Sequence, residues 1–175
     1  DAHVHIESSM LIPVEFSKMV IRRGTVAVVN DPHEIANVMG IAGVRFMLEN
    51  ATKAEIKIFF GIPSCVPATP FDSAGSELTS DDILALSAHD QFVALSEMMN
   101  VPGALQKDAE VIRKLEIARN RKLPVDGHAP GLSKYELKAY AEAGISTDHE
   151  CVSLEEALEK IASGMKIIIR EGSAA

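Results

Sequence analysis

Thr25-Val-Ala-Val-Val-Asn-Asp-Pro-His-Glu34 sets a pattern that the rest of the chain repeats. Thr25 to Val29 are apolar or β-branched without alternation, as expected of a strand buried on both faces in a parallel sheet. Asn30 to Glu34 then bring side chains able to bind metal or protons, and residues 34–50 read as a helix. A strand that ends in such residues and runs into a helix is one β/α unit.

Downstream, Ile56-Lys-Ile-Phe-Phe60, Phe92-Val-Ala-Leu95, Leu123-Pro-Val125, Ile145-Ser-Thr147 and Met165-Lys-Ile-Ile-Ile169 read as further strands. Helices are expected from near Ser80, from Asp108 to Arg121, from Ser133 to Gly144 and from Ser153 to Gly164. The third of these has Leu137, Tyr140 and Ala141 along it, and Ser133/Glu136 and Ser153/Glu156 have capping-box spacing. In the last helix Leu154, Ala157, Leu158 and Ile161 share a face, which is expected to point inward. Residues 61–80 are rich in Pro, Gly and Ser and read as a long loop, a length that is usually functional or disordered. Upstream, Pro13 opens a helix with Phe16, Met19 and Val20 as its stripe, and Asp1-Ala-His-Val-His5 reads as the first strand.

Strand and helix thus alternate through about seven units, which predicts an α/β fold with parallel strands and right-handed crossovers. An open doubly wound sheet is one solution. A TIM-type (β/α)8 barrel is favoured, because polar residues follow strand after strand and barrel sites gather at the C-terminal ends of the strands. A full barrel takes about 250 residues in eight units, so the expectation is an incomplete barrel without strand eight, forming one domain over residues 1–175. The chain has no initiator Met and begins within two residues of its first motif, which suits a segment of a longer gene product.

Composition narrows the partners. A net charge of −8 and a hydrophobic content of 47% suit a globular domain with a small-molecule ligand; no basic patch offers itself to nucleic acid or an anionic membrane. No apolar run approaches the roughly 20 residues of a membrane span and no signal peptide is visible, so a cytoplasmic location is expected. Cys65 and Cys151 form no CxxC and are expected to be reduced and buried. An unclosed barrel leaves two sheet edges, which favours homo-oligomerisation.

The expected strand ends carry His3 and His5, then Asn30 to Glu34, Ser64-Cys65, Glu97, His128, His149 and Arg170-Glu171. Four of the 6 histidines lie at the ends of the first, fifth and sixth strands, while His89 falls in a connection at the opposite end. Residues two apart on a strand point the same way, so His3 and His5 can share one ion. In a closed barrel His128, His149 and Glu97 meet them at the same mouth, and such a set is a poor core but a good shell for a cation. On His-x-His alone a phosphoesterase stays open; the His-x-Glu and Pro-Cys-x-x-Cys signature of the zinc cytidine deaminases is absent.

The ordered strings Asp1-Ala-His-Val-His-Ile-Glu-Ser-Ser-Met10, Asp31-Pro-His-Glu-Ile-Ala-Asn37, Pro63-Ser-Cys-Val-Pro-Ala-Thr-Pro-Phe71, Glu97-Met-Met-Asn100, Asp126-Gly-His-Ala-Pro-Gly-Leu132 and Asp148-His-Glu-Cys151 resemble the amidohydrolase superfamily and, within it, the metal-dependent adenine deaminases. The resemblance implies two divalent ions, one held by His3 and His5 and the other by His128 and His149, with Glu97 as the bridge. It leaves the metal open among Mn, Fe and Zn. The implied reaction is hydrolysis of adenine to hypoxanthine and ammonia in purine salvage, with Glu7, Asp31, His33, Glu34 and Glu150 toward the substrate. The family's proton-shuttling Asp follows strand eight, outside these 175 residues, and Ser96 stands where the family has a small residue before the bridge. Alternatives are another binuclear amidohydrolase acting on a cyclic amide or aminopurine, and a metal-binding fragment without turnover.

Overall fold

A computed structural model describes residues 1–170. Strands β1 (Ala27–Asn30), β2 (Lys57–Ile62), β3 (Phe92–Met98) and β4 (Val125–Gly127) form one parallel sheet in that spatial order. β5 (Thr147–Asp148) and β6 (Lys166–Ile167) form a second parallel pair. Isolated parallel bridges extend the series at both ends, Val4 to Asn30 and Val125 to Ile145. Each strand therefore neighbours the next in sequence with no reversal of order, which excludes the doubly wound alternative. The sheet curls far enough that the rings of His3 and His149 stack with centroids 3.8 Å apart. The result is a half-barrel.

Helices α1 (Pro13–Ile21), α2 (His33–Ala51), α3 (Ser80–Leu86), α4 (Val101–Gln106), α5 (Ala109–Arg121), α6 (Lys134–Glu142) and α7 (Leu154–Ala162) connect the strands. Val28, Phe60, Ile62, Leu95 and Met98 of the sheet are buried together with Val44, Ile83, Leu115, Leu137 and Tyr140 of the helices. Each fully buried side chain of this size contributes roughly 1.5–3 kcal/mol, and this packing carries the strand ends.

Several expectations need correction. Asp1 to His5 is no full strand: Val4 N–H donates to the Val29 carbonyl, Asp31 N–H donates to the Val4 carbonyl, and one bridge is all that forms. The second strand starts at Ala27, not at Thr25, and the last covers two residues of the expected five. α4 was not foreseen, although Asn100 caps it by accepting from Gly103 N–H at 2.9 Å and Pro102 sits in its first turn. Ser133 makes no capping bond; the complete capping box is Thr79 with Asp82 on α3. Met19 is half exposed and Cys151 half-buried, whereas Cys65 is buried and His89 is exposed as expected.

Two departures bear on the site. α2 is kinked at Gly40, whose φ of 58° and ψ of −143° interrupt it, and the free Asn37 carbonyl accepts from Gly75 N–H at 2.7 Å. That bond pins the Pro-rich loop to α2, so the loop is ordered structure. α7 is turned the other way from expectation. Leu154, Leu158 and Ile161 are 69%, 55% and 53% exposed, while Lys160 is fully buried.

Candidate metal centre

Backbone pairing brings the N-terminal stretch into place. Because Val4 bridges to β1, His3 and His5 both project to one side of it, and their Nε2 atoms lie 3.0 Å apart. Glu97, the penultimate residue of β3, sets Oε1 2.8 Å from each of these nitrogens. Ligands about 2.1 Å from one ion and at right angles lie roughly 3.0 Å from one another, so this triangle has the edges of a coordination face.

The other ring nitrogens fix the tautomers. His5 Nδ1 lies 3.0 Å from the Asp31 carbonyl oxygen, which can only accept, and His3 Nδ1 lies 2.8 Å from Asp126 Oδ2. Both Nδ1 atoms therefore donate, and both Nε2 atoms turn lone pairs toward a carboxylate oxygen. Three acceptors facing one another are unfavourable unless a cation or a proton sits among them.

On the other side of Glu97, His128 Nδ1 lies 2.9 Å from Oε2 and His149 Nε2 lies 3.6 Å from Oε1. Neither nitrogen makes a hydrogen bond of acceptable direction, and both are buried. Near in distance but wrongly aimed at the carboxylate, they fit lone pairs directed at a common ion. Glu97 itself is 3% exposed; its Oε1 faces His3, His5 and, at 3.6 Å, His149, while its Oε2 faces His128. Its place is set from behind: Ser64 Oγ donates to the Glu97 carbonyl at 2.6 Å.

Electrostatics agrees with a cation site. Burial works against the charge on Glu97, yet contacts with His128, His3 and His5 hold its pKa well below the usual carboxylate range. Burial likewise opposes the charge on His3, but its bonds to Asp126 and Glu97 raise its pKa to about 10. For His33 the partner is Asp31, 3.0 Å away, and the pKa is raised against burial to about 9. Without a metal the centre holds protons in its place.

The residues expected on the substrate side are placed unequally. Asp31 and His33 reach the centre: His33 stands edge-on to His5 at 4.6 Å, and Asp31 Oδ1 is buried without a partner among the described residues. Glu7 accepts from Ile35 N–H at the start of α2 and keeps Oε2 buried and unpaired; burial raises its pKa despite its backbone bonds. Glu34 is turned aside to Ser8 Oγ at 2.6 Å. Glu150 pairs with Arg170 and lies 3.8 Å from His149 Nε2 and 4.0 Å from His128 Nδ1. Glu171 lies outside the described residues.

Asp126 is the residue that sequence reasoning missed. It is 9% exposed, holds His3, lies 3.2 Å from His149 Nδ1 and accepts from Thr147 Oγ1. Its signal was its place two residues before His128 on a strand, hence on the same side as that ligand. Burial opposes its charge, but His149 and His3 hold its pKa below the usual range.

The Amidohydrolase family model matches residues 1–173. Adenine deaminase from Methanosarcina barkeri (strain Fusaro / DSM 804) is 59% identical over 175 residues, which are 100% of this chain and 32% of that protein. Adenine deaminase from Methanothermobacter thermautotrophicus is 58% identical, again over 100% of this chain and 32% of the relative. The chain thus spans about a third of the length of these relatives. Among solved structures, a mandelate racemase/muconate lactonizing enzyme from Jannaschia sp. CCS1 superposes with a TM-score of 0.55 at 12% identity, covering 97% of this chain and 47% of that one, a likeness of fold alone. With the family matched across residues 1–173, the chain belongs to the amidohydrolase family.

Proposed function

We propose that this chain is the larger part of the catalytic barrel of an adenine deaminase, a cytoplasmic enzyme of purine salvage that hydrolyses adenine to hypoxanthine and ammonia. The observation that carries this is the buried Glu97 carboxylate, which stands among four histidines, with His3, His5 and His149 toward Oε1 and His128 toward Oε2. The identity of 59% to an adenine deaminase points to the substrate.

His3 and His5 would hold one divalent ion, His128 and His149 the other, and Glu97 would bridge them. Two dications close together repel strongly, and a shared carboxylate offsets part of that. When bound, the ions supply an acidified water and stabilise charge that develops on the substrate. Mn, Fe and Zn all suit histidine with carboxylate.

The chain's own residues do the rest. Asp126 and the Asp31 carbonyl orient the first pair of histidines by fixing their tautomers. Asp31 Oδ1 and Glu7 Oε2, buried and unpaired, together with His33, line the side from which a purine edge would be read by hydrogen bonds. Glu34 and Glu150 stand at the rim as further polar contacts.

The test is release of ammonia and hypoxanthine from adenine by the natural polypeptide that carries this chain, stripped of metal and reloaded with Mn, Fe or Zn. Turnover that returns with two equivalents of metal is expected. No turnover of any aminopurine would overturn the substrate assignment, and turnover of a cyclic amide instead would move the chain to another branch of the family.

A further inference from the structure

α7 buries its polar side. Lys160 is fully buried, and its Nζ donates to the Ala129 carbonyl at 2.7 Å, to Asp148 Oδ2 at 2.8 Å and to Glu156 Oε1 at 2.8 Å. All three of its protons are used. Ala129 follows His128 and Asp148 precedes His149. Asp148 joins the same two segments directly, since its Oδ1 accepts from Ala129 N–H at 2.9 Å. Glu156 repeats the arrangement one turn earlier, accepting from Gly131 N–H at 2.8 Å and from Val152 N–H at 3.1 Å. The Lys160 bonds land on residues adjacent to His128 and His149, and the Glu156 bonds land on Gly131 and Val152, three residues beyond each.

We propose that Lys160, braced by Glu156, is a positioning residue that sets His128 and His149 at the spacing needed for the second ion. His3 and His5 are held by Asp126, the Asp31 carbonyl and the β1 bridge; their link to Lys160 runs through His149, which stacks on His3 and lies 3.2 Å from Asp126, so the first ion site should respond less than the second to changes in this helix. With two ions held as proposed above, loosening α7 weakens one of them.

The experiment is Mn²⁺ titration of the metal-free natural polypeptide, with free Mn²⁺ read by electron paramagnetic resonance. The wild type should bind two equivalents; fewer than two would sink the two-ion reading itself and be recognised in that control. In Lys160→Met one equivalent should weaken by roughly 10- to 100-fold, the range for residues that orient ligands, and the other by less than about threefold. Lys160→Arg, which keeps the charge and donors, should recover part of the loss. In a His128→Asn background, where one equivalent is already gone, Lys160→Met should add less than about threefold. Should Lys160→Met fail to fold, Glu156→Gln serves, with a smaller loss on the same equivalent. Equal weakening of both equivalents, or wild-type binding of both in a folded variant, overturns the proposal.

Discussion

At the scale of single residues, the centre is legible as a problem of proton and metal exchange. Without metal, His3 titrates near 10 because Asp126 and Glu97 favour its charged form over the penalty of burial, so at pH 7.5 it carries a proton. An ion needs the neutral ring, and binding must expel that proton. The sign follows: affinity rises with pH up to about 10 and falls by up to tenfold per unit of acidification for each proton expelled. Mn²⁺ added to metal-free protein in weakly buffered solution at pH 7.5 should acidify it; uptake without proton release would contradict the raised pKa. Asp126→Ala removes the carboxylate that holds His3 and leaves the ring free to turn. Metal affinity should fall roughly 10- to 100-fold by competition with a chelator, the usual effect of losing such a partner. Unchanged affinity would reduce Asp126 to a bystander.

At the scale of elements, backbone approach decides where Glu97 stands. Gly61 on β2 faces Ser96 on β3, and a Cβ added at Gly61 would lie 1.7 Å from Ser96 Oγ and 3.0 Å from Ser96 Cβ. Ser96 precedes Glu97, so any shift reaches that carboxylate. Gly61→Ala should cost about 1–3 kcal/mol in denaturant unfolding, the usual penalty of overpacking, and Gly61→Ala with Ser96→Gly should recover most of it. If the single variant proves as stable as wild type, the sheet is looser there than its geometry implies. The sequence made the strands legible because continuous β-branched runs such as Val28-Val29 have few other homes, and it singled out five candidate ligands because each was expected at a strand end. What it concealed was the orientation of α7 and the burial of single lysines. Lys160 lies on the side of α7 that hydrophobic periodicity assigned to water, and Lys114 of α5 is likewise buried, donating to the Ser64 and Leu78 carbonyls at 2.9 and 2.7 Å. Periodicity scores a lysine as polar wherever it stands; the carbonyls that accept its protons are distant in sequence and invisible to a local window. α4 escaped for a related reason, since six residues are too few to establish a period.

At the scale of the molecule, the half-barrel makes the centre a crosslink. The five candidate ligands come from the N-terminal stretch, β3, the end of β4 and the end of β5, and His3 and His149, 146 positions apart (149 − 3), stack at 3.8 Å. Curl and site therefore require each other: a flatter sheet would part these rings, and an ion between them opposes flattening. In the unfolded chain the same ligands are scattered, so metal binds the folded state almost alone and its binding energy becomes folding energy. Free Mn²⁺ at 100 times its dissociation constant should add about 2.7 kcal/mol for each independent ion. For a chain of this length that is a rise of roughly 5–10 °C in Tm per ion. Thermal unfolding with EDTA and then with graded Mn²⁺ checks this. Tm should climb with the logarithm of free Mn²⁺, and Glu97→Ala, which removes the carboxylate shared by both pairs, should abolish the dependence. A Tm indifferent to metal in the wild-type protein would mean that the curl is maintained by the core alone and that the histidines meet without holding an ion.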